Sequence, residues 1–204
     1  MIRILIADDH AVVREGLKRI VAETPDMEVV GEAASGHEAL DFAQKRECDL
    51  VLLDLAMPGK DGLDTLKELR AVRPGLPVLV LSVYPEDQYA VRLLRAGAAG
   101  YLTKESAPEE LVTAIRKVSR GGRYVSETLA EQLAVLLGSD ADRPPHEALS
   151  DREFRVMLML ASGKTVSEVA GTLCLSVKTI STYRARALHK MNMRNNAEFS
   201  FYAV

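Results

Sequence analysis

Cysteine is almost absent: Cys48 and Cys174 are the only two in 204 residues, and they lie far apart. Two isolated thiols build no disulfide framework and match no metal-binding spacing, so both are expected to stay reduced, as in a cytoplasm. Long apolar runs are missing too. None approaches the roughly 20 residues that a membrane-spanning helix requires. The opening MIRILIADDH reaches two acids within ten residues, which argues against a secretory leader. Nor is there a large charge excess, with 26 Lys+Arg against 29 Asp+Glu and a net charge of -3. With 48% hydrophobic and 27% charged residues, the chain reads as an ordinary soluble globular protein. Its length allows one large domain or two smaller ones.

The near-balanced charge hides a division. Residues 1–120 carry 16 basic and 20 acidic residues, residues 121–148 carry 2 and 5, and residues 149–204 carry 8 and 4. An acidic first part followed by a basic last part suggests two modules, the second meeting a polyanion.

Apolar periodicity divides the first part into alternating strands and helices. Short apolar runs at 3–7, 27–33, 50–53, 78–82 and 101–103 read as strands, and helical spacing follows each. Five such alternations predict a doubly wound parallel sheet. The run LVLLDLAMPG at 50–59 is its centre: four apolar residues without alternation suggest a strand buried on both faces, ending at Asp54. Taken alone, Asp54 reads equally well as a turn residue or as a site carboxylate. The other strand ends decide. Asp8 and Asp9 end the first strand, Ser82 the fourth and Lys104 the fifth, and parallel strands bring all these ends to one edge.

Asp8, Asp9 and Asp54, converging without His or Cys, form a hard all-oxygen site suited to Mg²⁺ or Mn²⁺. A divalent ion there relieves carboxylate repulsion and shields Asp54 from an incoming phosphoryl group. Ser82 and Lys104 are placed to hold the remaining phosphoryl oxygens, and an Asp carboxylate is a competent nucleophile.

Asp8-Asp9, Asp54 before Met57-Pro58-Gly59, Ser82, and GAAGYLTK ending in Lys104 resemble the receiver domain of bacterial two-component response regulators. The resemblance implies a flavodoxin-like five-stranded receiver in which Asp54 accepts phosphate from a sensor histidine kinase. It implies Mg²⁺ on Asp9, Asp54 and the Ala56 carbonyl, with Asp8 acting through water and Lys104 pairing with the phosphate. Ser82 and Tyr101 match the hydroxyl–aromatic switch pair.

Gly121-Gly122 closes the receiver at about residue 120, and 121–148 reads as a linker with an amphipathic helix at 126–137 and a flexible stretch at 138–148. From residue 149 the spacing is helical throughout. The pairs Ser150…Glu153 and Thr165…Glu168 are capping boxes, and Cys174–Ser176 is a tight turn before a basic helix at 177–191. Residues 149–204 resemble the LuxR-type helix-turn-helix, which completes the NarL/FixJ architecture. Ser181, Thr182 and Ala185 are expected to face base edges, and Lys178, Arg186 and Lys190 to meet phosphates. Thr179 and Arg184 lie at the boundary of that face. For Tyr183, packing and phosphate contact stay equally open, as do core covering and a dimer interface for Phe199, Phe201 and Tyr202.

The expected protein is a cytoplasmic, phosphorylation-controlled transcription factor that dimerises on double-stranded DNA, with RNA polymerase as a further contact. Phosphorylation would draw Ser82 and Tyr101 inward. It is not an enzyme beyond its own phosphotransfer and autodephosphorylation. A Mg²⁺-dependent aspartyl-phosphate phosphohydrolase is the enzymatic rival, but Asp54-Leu55-Ala56 lacks the second Asp of D-x-D-x-T. A phosphorylation-independent regulator is the other rival.

Overall fold

An aliphatic run without alternation is stable only if both of its faces are covered. A computed structural model describes residues 1–57, 62–84, 86–106, 108–138 and 144–203, and places such runs in the middle of a sheet. Contacts divide the chain into two units, Met1–Leu136 and Leu137–Val204.

The first unit has five parallel strands: β1 (Ile2–Ala7), β2 (Met27–Ala33), β3 (Leu50–Asp54), β4 (Val78–Ser82) and β5 (Gly100–Thr103). Their order is β2-β1-β3-β4-β5, with β3 and β4 buried along their whole length. Between them run α1 (Ala11–Ala22), α2 (Gly36–Lys45), α3 (Gly62–Val72) and α4 (Glu86–Arg95), and α5 (Pro108–Ser119) follows β5. Ile4, Ile6, Leu50, Leu52, Leu79 and Leu81 pack against Leu17 and Val21 of α1 and Leu111, Ala114, Ile115 and Val118 of α5. The alternate residues, Leu5, Val51, Leu53 and Val80, are equally buried and point to the opposite face. The doubly wound sheet is therefore present.

Asp49 anchors the entrance to β3. Its carboxylate accepts from the Arg3 backbone N–H (2.8 Å), Nε (3.1 Å) and Nη2 (2.9 Å). Arg3 holds the Asp49 carboxyl below its ordinary value of 3.8. A depressed carboxyl stabilises the fold above its unfolded pKa, and that stability is lost as pH falls through the lower folded value. Asp49→Ala should lower the melting temperature of the first unit near neutral pH, with a gap to wild type that narrows below pH 3.8. A gap that stays constant down to pH 2 or so would exclude the linkage.

Beyond Gly121-Gly122 the chain continues alongside the sheet. Tyr124 runs beside β5, its N–H donating to the Ala99 carbonyl (2.9 Å) and its carbonyl accepting from the Tyr101 N–H (3.3 Å). Gly100 allows this close approach, since a Cβ there would lie 2.7 Å from the Tyr124 carbonyl oxygen. The Tyr124 hydroxyl donates to Glu110 (3.0 Å), and burial together with that carboxylate pushes its pKa up to about 12. Ser126 then contacts Glu86 on α4 and caps α6 (Glu127–Gly138), accepting from the Leu129 N–H. Most of α6 thus belongs to the first unit.

In the second unit a short 3₁₀ helix (Pro145–Ala148) ends the stretch expected to be flexible. It precedes α7 (Asp151–Ala161), α8 (Val166–Thr172), α9 (Val177–Lys190) and α10 (Asn196–Ala203). Ser150 and Thr165 form the two expected capping boxes. Cys174 takes φ 52° in the α8–α9 turn, a left-handed conformation that a non-glycine residue adopts at some cost. Pro58, Gly59, Ala107, residues 139–143 of the linker and Val204 lie outside the described residues.

Candidate functional site

Parallel strands expose their carboxyl ends together, and here the polar residues at those ends meet. Asp8 and Asp54 are buried to 2% and 1% exposure, Ser82 completely, while Asp9 is only half-buried. One carboxylate oxygen from each Asp and a ring nitrogen of His10 all lie within 4.8 Å of one another. The site therefore has a His beside it, where the sequence reading expects carboxylates without His. His10 Nδ1 lies 2.9 Å from Asp9 Oδ1 and 3.3 Å from Asp8 Oδ1. The Arg14 guanidinium donates to the Asp8 carbonyl (2.7 Å) and fixes the end of β1.

Lys104 reaches across from the loop after β5, with Nζ 2.6 Å from Asp8 Oδ2 and 3.0 Å from Asp54 Oδ2. Burial opposes its charge, but hydrogen bonding and attraction from these carboxylates outweigh that and raise its pKa. Burial pushes the Asp54 carboxyl up, against the Ala56 N–H, which donates to Oδ1 at 3.1 Å, and against Lys104. Three carboxylates facing one ammonium leave two negative charges uncompensated. Among the described residues, Asp8 Oδ2, Asp9 Oδ1 and Asp54 Oδ2 are buried and receive no well-directed hydrogen bond; their polar neighbours are Lys104 Nζ and His10 Nδ1. Such an oxygen set fits a hard divalent cation in both charge and donor type.

The loop after β3 is packed too tightly to leave room for a side chain at Gly62. A Cβ there would stand 2.5 Å from Leu55 Cα and 2.8 Å from the Asp54 carbonyl oxygen. Gly62→Ala should therefore displace the loop carrying Ala56 and destabilise the first unit by about 1–3 kcal/mol. Thermal melts of variant and wild type measure this, and an unaltered melting temperature would refute the loop argument.

Ser82 Oγ accepts from the Tyr84 N–H (3.1 Å), and the Lys104 N–H donates to the Ser82 carbonyl (2.7 Å). The Tyr101 ring is fully buried, and its hydroxyl donates to the Tyr84 carbonyl (2.7 Å). Tyr101 is therefore in the inward position that the switch reading assigns to the phosphorylated form. Sequence reasoning missed Tyr84, whose backbone N–H and carbonyl join Ser82 and Tyr101.

In the second unit, α9 buries Ile180, Ala187 and Met191 follows it into the core, while Lys178, Ser181, Thr182, Ala185, Arg186 and His189 are exposed. Thr179 is half-buried and its hydroxyl contacts Ser176 (2.8 Å). Arg184 Nε donates to Asn196 of α10 (2.6 Å). Lys190 is exposed as well, and its Nζ donates to the buried Glu153 (2.6 Å). Phe199 is fully buried and covers the core, whereas Phe201 is 89% exposed and does not. Tyr202 contacts His146 Nδ1 at 2.8 Å.

Comparison with known proteins accounts for both units. Residues 4–116 match the response regulator receiver domain, and residues 147–203 match the bacterial regulatory proteins of the luxR family. The chain belongs to the response regulators. This response regulator is 40% identical over 205 residues to response regulator GacA of Pseudomonas aeruginosa, covering all of this chain and 96% of that one. It is 37% identical to response regulator UvrY of Escherichia coli K12, covering all of this chain and 94% of that one. RcsB of Salmonella enterica serovar Typhimurium, solved bound to promoter rprA with the phosphomimetic BeF3-, is 26% identical. That likeness covers 98% of this chain and 97% of RcsB, with a TM-score of 0.71. The response regulator thus carries a receiver and a LuxR-type DNA-binding domain. Among the described residues no helix is long and apolar enough to cross a membrane.

Proposed function

We propose that Asp54 is the phosphoryl acceptor of this response regulator and that its phosphorylation controls DNA binding by α9. The observation that carries this is the meeting of Asp54 with Asp8, Asp9 and the Lys104 ammonium at the carboxyl end of β3. A carboxylate oxygen of Asp54 attacks the phosphorus of a phosphohistidine. The P–N bond breaks, the histidine leaves with its electron pair, and an acyl phosphate forms on Asp54. Asp9, Asp54 and the Ala56 carbonyl would hold Mg²⁺, with Asp8 acting through water. When bound, that ion neutralises charge on the phosphoryl oxygens. Lys104 pairs with the phosphoryl group, and Ser82 donates a hydrogen bond to it. Movement of Ser82 toward that group would alter the Tyr84 backbone, whose N–H donates to Ser82 and whose carbonyl Tyr101 holds.

The partners that fit are a sensor histidine kinase and double-stranded DNA, in the cytoplasm where both are met. The chain forms a homodimer on phosphorylation and contacts RNA polymerase when bound at a promoter. RcsB solved on promoter DNA with a phosphomimetic supports the link between phosphorylation and DNA. We assign residues 1–120 to the receiver, 121–148 to the linker and 149–204 to the DNA-binding domain. Ser181, Thr182 and Ala185 would face base edges, Lys178 and Arg186 phosphates, and Thr179 the edge of that face. Beyond its own phosphotransfer and autodephosphorylation the protein turns over no substrate.

The test is incubation of the full chain with a small labelled acyl phosphate, with Mg²⁺ or with a chelator, followed by selection of duplexes from a random library. One phosphoryl group per chain, lost with the chelator, and tighter DNA selection after labelling are expected. Labelling that ignores the chelator, or DNA selection that ignores the label, would overturn the corresponding half.

A further inference from the structure

The second unit contains two capping boxes that do the same local work in different surroundings. At the start of α8, Glu168 accepts from the Thr165 N–H (2.7 Å) from an exposed position, and among the described residues it enters no ion pair. At the start of α7, Glu153 accepts from the Ser150 N–H (2.8 Å), but it is only 3% exposed. A cap alone does not require burial of the carboxylate, as Glu168 demonstrates. A buried carboxylate does require a cation, because an uncompensated charge in a core is strongly unfavourable. Glu153 has that cation from a distant part of the sequence: Lys190, the last residue of α9, places Nζ 2.6 Å from Oε2, the same oxygen that caps α7.

This contact joins the first turn of α7 to the last turn of α9. Ile180 and Ala187 are fully buried along the side of α9 that meets the core, and Arg184 Nε ties the middle of the helix to Asn196 of α10 (2.6 Å). The charge-assisted Lys190–Glu153 hydrogen bond ties its end. It sets where α9 stops along its axis, and therefore where Lys178, Ser181, Thr182, Ala185 and Arg186 present themselves on the exposed side. Base readout tolerates displacements of only about 0.5 Å, so such an anchor bears on sequence discrimination.

We infer that Glu153 is a positioning residue for DNA recognition and that Lys190 is its counter-ion rather than a phosphate contact. The inference rests on α9 being the recognition helix, as proposed above, and on Lys178 and Arg186 as the phosphate contacts. Both of these are exposed and, among the described residues, enter no ion pair.

The experiment uses the full chain and two duplexes, one selected by the wild type from a random library and one of scrambled sequence. Removing a phosphate contact lowers the slope of log affinity against log salt by about 0.9. Lys178→Ala and Arg186→Ala should each do so. The double variant Glu153→Gln with Lys190→Met removes the Lys190 charge without leaving a buried carboxylate unpaired, and its slope should equal that of the wild type. Glu153→Gln alone keeps the oxygen that caps α7 but loses the ion pair. Measured well below its melting temperature, its preference for the selected duplex should fall about tenfold, the scale of one lost base contact. A slope lowered by about 0.9 in the double variant would make Lys190 a phosphate contact and overturn the inference. A lower melting temperature with the duplex preference intact in Glu153→Gln would reduce the pair to a stability element, and would also overturn it. If instead Lys178→Ala and Arg186→Ala leave the slope alone, the phosphate assignment of the proposed function fails, a result separate from the other two.

Discussion

Asp54→Ala should reduce phosphoryl labelling to background while leaving the first unit at least as stable as the wild type. The two halves of this expectation come from the same geometry. Asp54 is 1% exposed at the end of β3, its oxygens held by the Ala56 N–H and by Lys104. Asp8 shares the Lys104 ammonium with it, so either carboxylate is only partly compensated. Burial pushes the Asp54 carboxyl up, which means that its charged form is disfavoured where it stands. Removing it leaves Asp8 and Lys104 as a matched pair, and like-charge repulsion falls. Loss of labelling with an unchanged or raised melting temperature therefore cannot be ascribed to unfolding.

The same variant should respond less to Mg²⁺. A ligand at 100 times its dissociation constant stabilises the folded state by about 2.7 kcal/mol, and removing a ligating oxygen shrinks that gain. Labelling with an acyl phosphate, together with melting temperatures across a Mg²⁺ series, checks both. Labelling that persists in the Ala variant would remove Asp54 from the role of acceptor.

Phe199→Ala should abolish DNA binding while leaving phosphoryl labelling intact. Phe199 is completely buried in α10, whose principal packing partner is α7. Truncating a buried Phe costs about 3–5 kcal/mol. The second unit, Leu137–Val204, is small, and a domain of that size has few kilocalories to lose. The expected result is loss of the second unit's melting transition, loss of binding to any duplex, and full labelling at Asp54. Phe201→Ala is the internal control, since Phe201 is 89% exposed and its removal opens no cavity. Retained DNA binding in Phe199→Ala would show that α10 is dispensable to the fold of the unit. Simultaneous loss of labelling would show that the two units do not fold independently.

Patterns repeating within a few residues survived the passage from sequence to structure. The buried strands at Leu50–Asp54 and Val78–Ser82 followed from aliphatic runs. The capping boxes at Ser150 and Thr165 followed from a three-residue spacing, because both partners lie within one turn. The Asp8, Asp9, Asp54, Ser82 and Lys104 set was legible because a parallel sheet brings every strand's carboxyl end to one edge.

What was not legible depends on which distant side chains meet. His10 looked like a residue after the acidic pair, yet its ring nitrogen joins the carboxylates. Lys190 looked like one more basic residue on a DNA-facing helix, yet it is bound to Glu153, 37 positions earlier. Tyr124 looked like linker, yet it lies alongside β5 because Gly100 has no side chain to keep it away.

The sequence by itself determined the strand–helix order, the edge at which the acids gather and the helix that carries the exposed basic face. Each follows from short-range periodicity and from the common direction of parallel strands. Only the tertiary structure decided how the charges are shared. One ammonium serves Asp8 and Asp54, and one buried carboxylate takes the Lys190 ammonium as its partner. The reason is physical: burial makes an unpaired charge costly, and which charges are buried is a property of packing between distant segments.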